Sequence, residues 1–391
     1  MTSQIGLFTP LTLRSVTFKN RIVVAPMCQY SAIDGEVNDW HLVHLGRFAA
    51  GGAGAVMVEA TAVVPQGRIT HGDLGLWCDQ QIEGLARIAA FVKSQGSVPM
   101  IQLAHAGRKA SMQRPWHGHG PMSEEDLARG EEPWAIEAPS ELPVAPGWLE
   151  PKSLTHEEMG QLREAWCDAA KRSLQAGFEA IEVHAAHGYL LHSFLSPISN
   201  QRNDEYGGDF EGRSRFVLEV VEAVRAVWPE DKPLFVRLSC VDGVEGGLTL
   251  EDSVRLAHRL KALGVDVVDC SSGGLSESAT ATMTPRGLGH QVPYAQTIRR
   301  DVEIATMAVG LILFPEQAQA IVQEGQADLV ALGRELMFNP NWPDHAQLVL
   351  QGETAYEDWP HQAGWWLQRR AKMLGKLGVQ SVVPHMPSDK V

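Results

Sequence analysis

Two histidines and a tyrosine lie within six residues of one another, at positions His184, His187 and Tyr189. The His-x-x-His spacing could hold a metal ion, but no third ligand follows at a plausible spacing, and we expect no metal site. Two imidazoles that face one pocket can instead donate hydrogen bonds to a substrate oxygen that develops negative charge. A phenol two residues further on can donate a proton. The cluster therefore favours a catalytic site over purely structural side chains.

Two polar side chains, Gln102 and Arg237, interrupt otherwise apolar segments. A buried guanidinium is costly unless it has a partner. Arg237 could pair with Glu59 or Glu182, which also lie in apolar segments, or it could face a ligand that is anionic or becomes so. The residues alone leave both alternatives open.

Two glycines near the end of the chain, Gly310 and Gly333, each follow an apolar run, and Arg334 comes directly after the second. Backbone N–H groups that glycine leaves accessible bind phosphate, and so does the fork-shaped guanidinium group. Each glycine could merely turn the chain. Because the pattern occurs after two successive runs, it favours a phosphate, although it does not identify the ligand.

Eight short apolar runs alternate with amphipathic stretches, and several are almost entirely apolar, as strands covered on both faces should be. They are Ile22–Ala25, Ala55–Glu59, Met100–Leu103, Ala180–Val183, Leu234–Leu238, Val265–Asp269, Thr306–Val309 and Asp328–Leu332. No G-x-G-x-x-G follows the first run, which argues against an open dinucleotide-binding sheet. We therefore predict an α/β fold, a single (β/α)₈ TIM barrel that spans residues 1–391.

The residues between the apolar runs support this prediction. Helical stretches end in glycine shortly before a strand begins, as in LQAGFEAIEV and KALGVDVVDC. Thr155 and Glu158 form a capping-box pattern at a helix start. Long connections, residues 105–153 and 185–212, follow the third and fourth strands, at the barrel end where active sites form. Residues 1–20 are expected to cross the barrel bottom, and residues 352–391 to lie beyond the closed barrel.

The overall composition excludes several classes of protein. With 44% hydrophobic residues the chain can bury a large core, and its formal net charge of -14 disfavours binding to nucleic acid or anionic membranes. No apolar stretch is long enough to span a bilayer, and no secretory signal is visible. The five cysteines contain no C-x-x-C pair. We expect reduced thiols in a cytoplasmic protein.

Five segments taken together resemble the Old Yellow Enzyme family, in its YqjM-like and xenobiotic-reductase-like branch. They are APMCQYSA, IQLAHAGRKAS, EVHAAHGYLLHSFLSPISNQRNDEYGG, MAVGLI and LVALGREL. The resemblance covers about residues 6–345. It implies a TIM barrel that holds FMN, with NADPH or NADH as reductant. No iron–sulfur cysteine cluster of the larger relatives is present, and residues 273–289 and the tail after residue 371 match no motif.

The resemblance also implies a role for each matching position. The residues implied to bind FMN are Ala25, Pro26, Met27, Cys28, Ala60, Gln102, Arg237, Gly310, Gly333 and Arg334. Among these, Cys28 would lie near the reactive edge of the flavin, Arg237 near its anionic pole and the last three at the phosphate. His184 and His187 would bind a substrate carbonyl oxygen, Tyr189 would donate the proton, and Tyr30 would contact the substrate.

The implied reaction is the reduction of an electron-poor alkene, a small-molecule substrate, by hydride from reduced FMN. A barrel isomerase or aldolase without flavin is the nearest alternative, and a non-catalytic flavin-binding barrel is another. Trp365, Trp366, Arg369 and Arg370 lie beyond the barrel and are residue types typical of interfaces. The resemblance implies a homodimer or larger even homo-oligomer in which Trp366, or Arg369, reaches the partner's substrate pocket.

Overall fold

The computed structural model describes residues 5–275, 286–352 and 356–379. Eight parallel strands, β1–β8, form a sheet in which β1 pairs with both β8 and β2, so that the sheet closes on itself. The strands are Ile22–Val24, Ala55–Ala62, Val98–Ala104, Ala180–Ala185, Leu234–Ser239, Val267–Ser271, Ala305–Val309 and Leu329–Leu332. Each predicted run overlaps one of them. The predicted (β/α)₈ barrel is thus confirmed.

In the described part of the chain, at least one helix of nine or more residues follows each barrel strand, and the first such helix after each strand is numbered here. These helices, α1–α8, are Asp39–Ala50, Ile82–Ser94, His156–Gln175, Phe210–Val227, Leu250–Ala262, Val292–Val302, Pro315–Gln323 and Trp342–Gln351. The predicted capping box is present, because Thr155 Oγ1 accepts from Glu158 N and the Glu158 carboxylate accepts from Thr155 N. Gly177 follows α3 at φ +86, a conformation that favours glycine.

Further elements lie before the barrel, in its loops and after its last strand. The further helical segments are Pro65–Gly67, Asp79–Gln81, Gly107–Lys109, Pro115–His117, Glu124–Ala128, Leu190–Leu195, Arg334–Phe338 and His361–Lys376. The further strands are Leu11–Leu13, Val16–Phe18, Leu74–Gly75, Glu137–Ala138 and Lys152–Ser153. The predicted loop 105–153 therefore has local structure that its polar, glycine-rich composition did not reveal. No helix among the described residues is long and apolar enough to cross a bilayer.

Strand side chains alternate between two hydrophobic clusters. In β5, Val236 belongs to the large cluster between strands and helices, whereas Phe235 belongs to a smaller cluster inside the barrel. Val16 and Phe18 of the N-terminal hairpin join that interior cluster, and the Phe18 and Phe235 ring centroids are 6.3 Å apart. Apolar side chains thus fill the N-terminal end of the barrel, which leaves its other end for polar groups.

Candidate active site

Four polar side chains form a layer inside the C-terminal half of the barrel. They are Gln102, Glu182, Arg237 and Asp269, on the consecutive strands β3–β6. Each lies two residues after an interior side chain and so points to the same side of its strand. Gln102 Nε2 donates to Glu182 Oε1 at 2.7 Å, and Arg237 Nε lies 2.9 Å from Asp269 Oδ2.

The ion pair of Arg237 is therefore with Asp269, which neither sequence alternative included. Glu59 instead accepts a hydrogen bond from the backbone N–H of Gln29 at 3.0 Å, and Glu182 is bound to Gln102. The Arg237 Nε–H is not aligned for a hydrogen bond to Asp269. Among the described residues, Arg237 Nε, both Asp269 carboxylate oxygens and Glu182 Oε2 are buried without a hydrogen-bond partner. Such atoms are candidates for contact with a ligand.

Two carboxyl groups share this one cation. Burial, and then the charge of Asp269, raises the pKa of Glu182 to about 8, while Arg237 and the bond from Gln102 offset part of the effect. Burial also raises the pKa of Asp269, against the attraction of Arg237. One of the two carboxyls therefore holds a proton at neutral pH, and the geometry assigns that proton to Glu182.

This buried proton makes stability depend on pH. The folded protein keeps a proton on Glu182 between its ordinary pKa of 4.5 and about 8, whereas the unfolded chain has lost it. The free energy of unfolding should therefore fall as pH rises through this window and level off above it. Glu182→Gln, which is always neutral, should reduce that slope. Chemical denaturation at pH 5, 7 and 9 measures it, with Glu164→Gln on the exposed face of α3 as control. Equal slopes in the two variants would contradict the assignment.

The three residues of the His-x-x-His-x-Tyr segment come together at the end of β4. The ring centroid of His184 is 5.2 Å from that of His187 and 5.1 Å from that of Tyr189. Burial, and then the charge of Arg237, lowers the pKa of both histidines well below the usual range. Both rings are therefore neutral, with one N–H donor each. His184 Nδ1 is buried and has no partner among the described residues.

Cys28, Tyr30 and Tyr189 share a second wall of the same pocket. Cys28 and Tyr189 pack against a cluster that includes Ile69 and Ala106, outside the main core. Burial, and then the carboxylates of Asp73 and Glu59, raises the pKa of the Cys28 thiol, while the Tyr30 hydroxyl partly offsets the rise. Burial also raises the pKa of both tyrosines. This wall thus presents a neutral thiol and two protonated phenols.

The segment between β2 and α2 contributes to this wall, and the sequence analysis missed it. A cavity beside Tyr189 is lined by Ala60, Ala62, Gly67, Ile69, Asp73, Ala104 and Ala106. Asp73 organises the segment, because its carboxylate accepts from Ile69 N and Thr70 Oγ1, both at 2.8 Å. Ala60 lies beside Gln102 after a register shift in β2. An aspartate three residues after a threonine was the available signal, and it is common in ordinary turns.

The predicted phosphate-binding residues lie side by side at the same end of the barrel. Gly310 and Gly333 follow the neighbouring strands β7 and β8, and a Cβ on Gly310 would lie 2.9 Å from Gln291 Oε1. A Cβ on Gly333 would contact Met27 Sδ at 3.4 Å, which places this turn against the loop after β1. Arg334 is exposed. Across residues 5–275, 286–352 and 356–379, its guanidinium has no hydrogen bond or ion pair.

The remaining predicted positions divide between the barrel mouth and the surface. Ala25 continues β1, since its N–H donates to Leu332 O at 2.9 Å, and Pro26 and Met27 follow it. Trp366 lies elsewhere, on the helix His361–Lys376, and 65% of its surface is exposed. Much of the unmatched segment 273–289 lies outside the described residues, as does the end of the C-terminal tail.

Comparisons with known proteins identify a matching family and similar chains. Residues 6–353 match the family model described as NADH:flavin oxidoreductase / NADH oxidase. An NADPH dehydrogenase of Geobacillus sp. (strain WCH70) is 47% identical over 361 residues, 92% of this chain and 98% of that protein. The structure of morphinone reductase is similar over 89% of this chain and 90% of its own, with a TM-score of 0.72 and 27% identity. The structure of a 2-naphthoyl-CoA reductase is similar over 89% of this chain, with a TM-score of 0.78 and 25% identity, and the match covers 52% of the reductase chain.

Proposed function

Since the chain belongs to the NADH:flavin oxidoreductase / NADH oxidase family, which includes the Old Yellow Enzymes, we propose that it reduces the C=C bond of α,β-unsaturated carbonyl compounds. It is an FMN-dependent oxidoreductase with NADPH or NADH as reductant. The observation that carries the proposal is the buried His184 Nδ1, unpaired among the described residues and grouped with His187 and Tyr189. An electron-poor alkene with a carbonyl oxygen suits this group of donors.

The residues at the barrel mouth fit FMN. A polar isoalloxazine edge would satisfy the unpaired atoms of the buried layer that contains Gln102 and Arg237, and a phosphate would suit Arg334. The residues that would hold the cofactor are Ala25, Pro26, Met27, Cys28, Ala60, Gln102, Arg237, Gly310, Gly333 and Arg334. FMN, when bound, supplies the hydride chemistry, and the protein supplies orientation and electrostatics.

The histidine pair would bind the carbonyl oxygen of the substrate. His184 offers a nitrogen that needs a partner, and His187 Nε2 lies 2.7 Å from Ser271 Oγ. If the Ser271 hydroxyl donates to Nε2, the proton of the neutral His187 ring is on Nδ1 and is available for a second hydrogen bond. Because both rings are neutral, they stabilise developing charge as donors without becoming acids themselves.

Tyr189 would complete the reaction by protonating the α-carbon. Its raised pKa keeps the phenol protonated, as a donor must be. Tyr30 would contact the substrate. The experiment that tests the function is anaerobic mixing of the NADPH-reduced enzyme with a panel of enones, followed by analysis of the saturated product. Flavin reduction by NADPH without turnover of any enone, aldehyde or nitroalkene would refute the proposal.

Tyr189→Phe should lower the rate of product formation by a larger factor than it weakens the binding of the enone.

The Cys28 thiol offers a test of which residues lie beside the cofactor. Cys28→Ser should leave the denaturation midpoint nearly unchanged, because Cys28 lies outside the main core. It should shift the flavin midpoint potential, since a hydroxyl hydrogen-bonds more strongly than a thiol. A change of about 1 kcal/mol corresponds to roughly 20 mV for a two-electron couple. Cys167→Ser on α3 is the matched control. An unchanged potential with lower stability would indicate a purely structural thiol.

The C-terminal helix supports a proposal about assembly. Trp365 and Trp366 are exposed to 49% and 65%, and the guanidinium of Arg369 lies 3.6 Å from the Trp365 ring centroid. Exposed aromatic and arginine side chains of this kind are common at interfaces. We propose a homodimer or larger even homo-oligomer in which Trp366, with Arg369 as the second candidate, narrows the substrate pocket of the partner.

This assembly predicts an effect of Trp366 on substrate choice. Trp366→Ala should raise the rate with bulky enones relative to small ones and leave the FMN content intact. Trp365→Ala, on the same helix, should change the substrate profile less. Steady-state rates with a size series of enones measure the profile, and sedimentation at the assay concentration measures the assembly. A fully active monomer would exclude this role of Trp366.

A cytoplasmic location is also proposed. All five cysteines are free thiols, which is typical of a reducing compartment.

A further inference from the structure

The loop that carries His187 and Tyr189 has an unusual backbone. His187 has φ +60 and the next residue, Gly188, has φ +76. For a residue other than glycine, this left-handed conformation costs about 1–2 kcal/mol. It persists only where the surroundings hold it in place. The loop therefore needs contacts strong enough to offset this cost.

Packing against the loop after β6 provides part of that restraint. A Cβ on Gly188 would lie 2.4 Å from the carbonyl oxygen of Gly274, and a Cβ on Gly274 would lie 2.6 Å from His187 Cα. The two loops thus touch through their backbones. Ser239 Oγ accepts from His187 N at 2.9 Å, and Lys109 Nζ donates to His187 O at 2.9 Å. Contacts from three neighbouring segments therefore restrain His187.

Gly188 itself is held by a side chain. Its N–H donates to Nδ1 of His192 at 2.7 Å, and the His192 side chain is fully buried. Because Nδ1 accepts this bond, the neutral ring carries its proton on Nε2. That nitrogen lies 2.8 Å from Asp242 Oδ1, to which it donates. The bond to Asp242 thus selects the one tautomer that can accept from Gly188.

Asp242 is also buried and hydrogen-bonded. It is 1% exposed, and its Oδ2 accepts from Ser196 Oγ at 2.7 Å and from Leu248 N at 2.6 Å. Burial alone would raise the pKa of Asp242, but the bonds from His192, Ser196 and Leu248 outweigh burial and lower it. The carboxylate is therefore charged and fully bonded. It anchors the loop after β4 to the loop after β5.

We propose that His192 and Asp242 are positioning residues, which orient His187 and Tyr189 for the substrate by holding the Gly188 peptide between them. This inference rests on the proposed function for the roles of His187 and Tyr189. It adds two residues that neither touch the substrate nor belong to the layer of polar side chains inside the C-terminal half of the barrel. Rotation of the Gly188 peptide would displace both flanking rings, and a misplacement of about 1 Å can cost on the order of 10²-fold in rate.

Two substitutions separate the two hydrogen bonds of His192. In His192→Asn, the amide oxygen can occupy the place of Nδ1 and still accept from Gly188. In His192→Gln, the amide nitrogen can occupy the place of Nε2 and still donate to Asp242, but nothing accepts from Gly188. Ser253→Ala controls for loss of a buried hydrogen bond nearby, because Ser253 Oγ donates to Cys240 O at 2.9 Å, two residues before Asp242.

Two measurements on the FMN-loaded enzyme decide the outcome. The first is amide hydrogen exchange of the peptide that spans residues 184–192, and the second is the dissociation constant of cyclohex-2-enone for the oxidised enzyme, from flavin absorbance. We expect His192→Gln to accelerate exchange and to weaken enone binding, each by about tenfold or more. His192→Asn and Ser253→Ala should stay close to the wild type in both.

The outcomes distinguish this proposal from the proposed function. Unchanged exchange and binding in His192→Gln, or equal losses in the Gln and Asn variants, would overturn the positioning role. So would loss of FMN or of folding in both variants alike, because the pair would then support the whole fold. If the wild type neither binds nor reduces the enone, the proposed function fails. In that case, faster amide hydrogen exchange in His192→Gln, but not in His192→Asn, would still support the role of His192 in restraining Gly188.

Discussion

His184→Ala is expected to slow enone reduction by roughly 10²–10³-fold, the usual loss when one donor to a developing oxyanion is removed. The reason is the environment of the ring. It is buried, and its Nδ1 has no partner among the described residues. Burial and Arg237 keep it neutral. A donor preorganised in this way contributes more than one in water, because the surrounding protein has a low dielectric constant.

The experiment separates the two halves of the catalytic cycle. Stopped-flow mixing of the oxidised variant with NADPH should give a rate much closer to that of the wild type than the alkene half-reaction does. FMN content should be unchanged, since His184 is not among the residues proposed to hold the cofactor. An enone-reduction rate equal to that of the wild type would remove His184 from the catalytic group.

Arg237→Met is expected to have the second large effect, a weakened hold on FMN. The substitution leaves the Asp269 carboxylate buried without its cation, and breaking a buried pair in this way typically costs 3–5 kcal/mol. It also removes the positive charge proposed to face the anionic reduced flavin. The FMN dissociation constant should rise, and the flavin midpoint potential should become more negative.

A double variant distinguishes these two causes. Arg237→Met combined with Asp269→Asn leaves no unpaired charge, so folding stability should recover while the potential stays low. Arg237→Lys keeps the positive charge, so the flavin midpoint potential should stay close to that of the wild type. Ultrafiltration for free FMN, redox titration and chemical denaturation give the three readouts. A double variant with wild-type potential would show that Arg237 serves only to balance Asp269.

The strands and their polar positions could be predicted from the sequence because the signals are local. Glycine lies within four residues before five of the eight apolar runs, and a polar residue inside such a run stands out, as Gln102 and Arg237 do. Strand ends in a barrel meet at one rim, so His184 and Gly333 could be assigned to the same end before the structure was known.

The partners of these residues could not be predicted, because partnership depends on register between strands. Arg237 lies opposite Asp269 on β6, but the sequence offered Glu59 and Glu182 as equally apolar-flanked carboxylates. The pairing of His192 with Asp242 joins residues 50 positions apart, and neither residue type is unusual in its own segment. Asp73 was missed for a different reason, because its hydrogen-bond partners, Ile69 N and Thr70 Oγ1, belong to a local turn of a common kind.

The apolar filling at the N-terminal end of the barrel has a consequence for how protons enter. Val16, Phe18 and Phe235 fill that end, so a proton would reach Glu182 more readily from the opposite rim. A ligand seated over the rim covers this route. Proton exchange with Glu182 and Asp269 should therefore be slower in the ligand-bound protein than in the free protein.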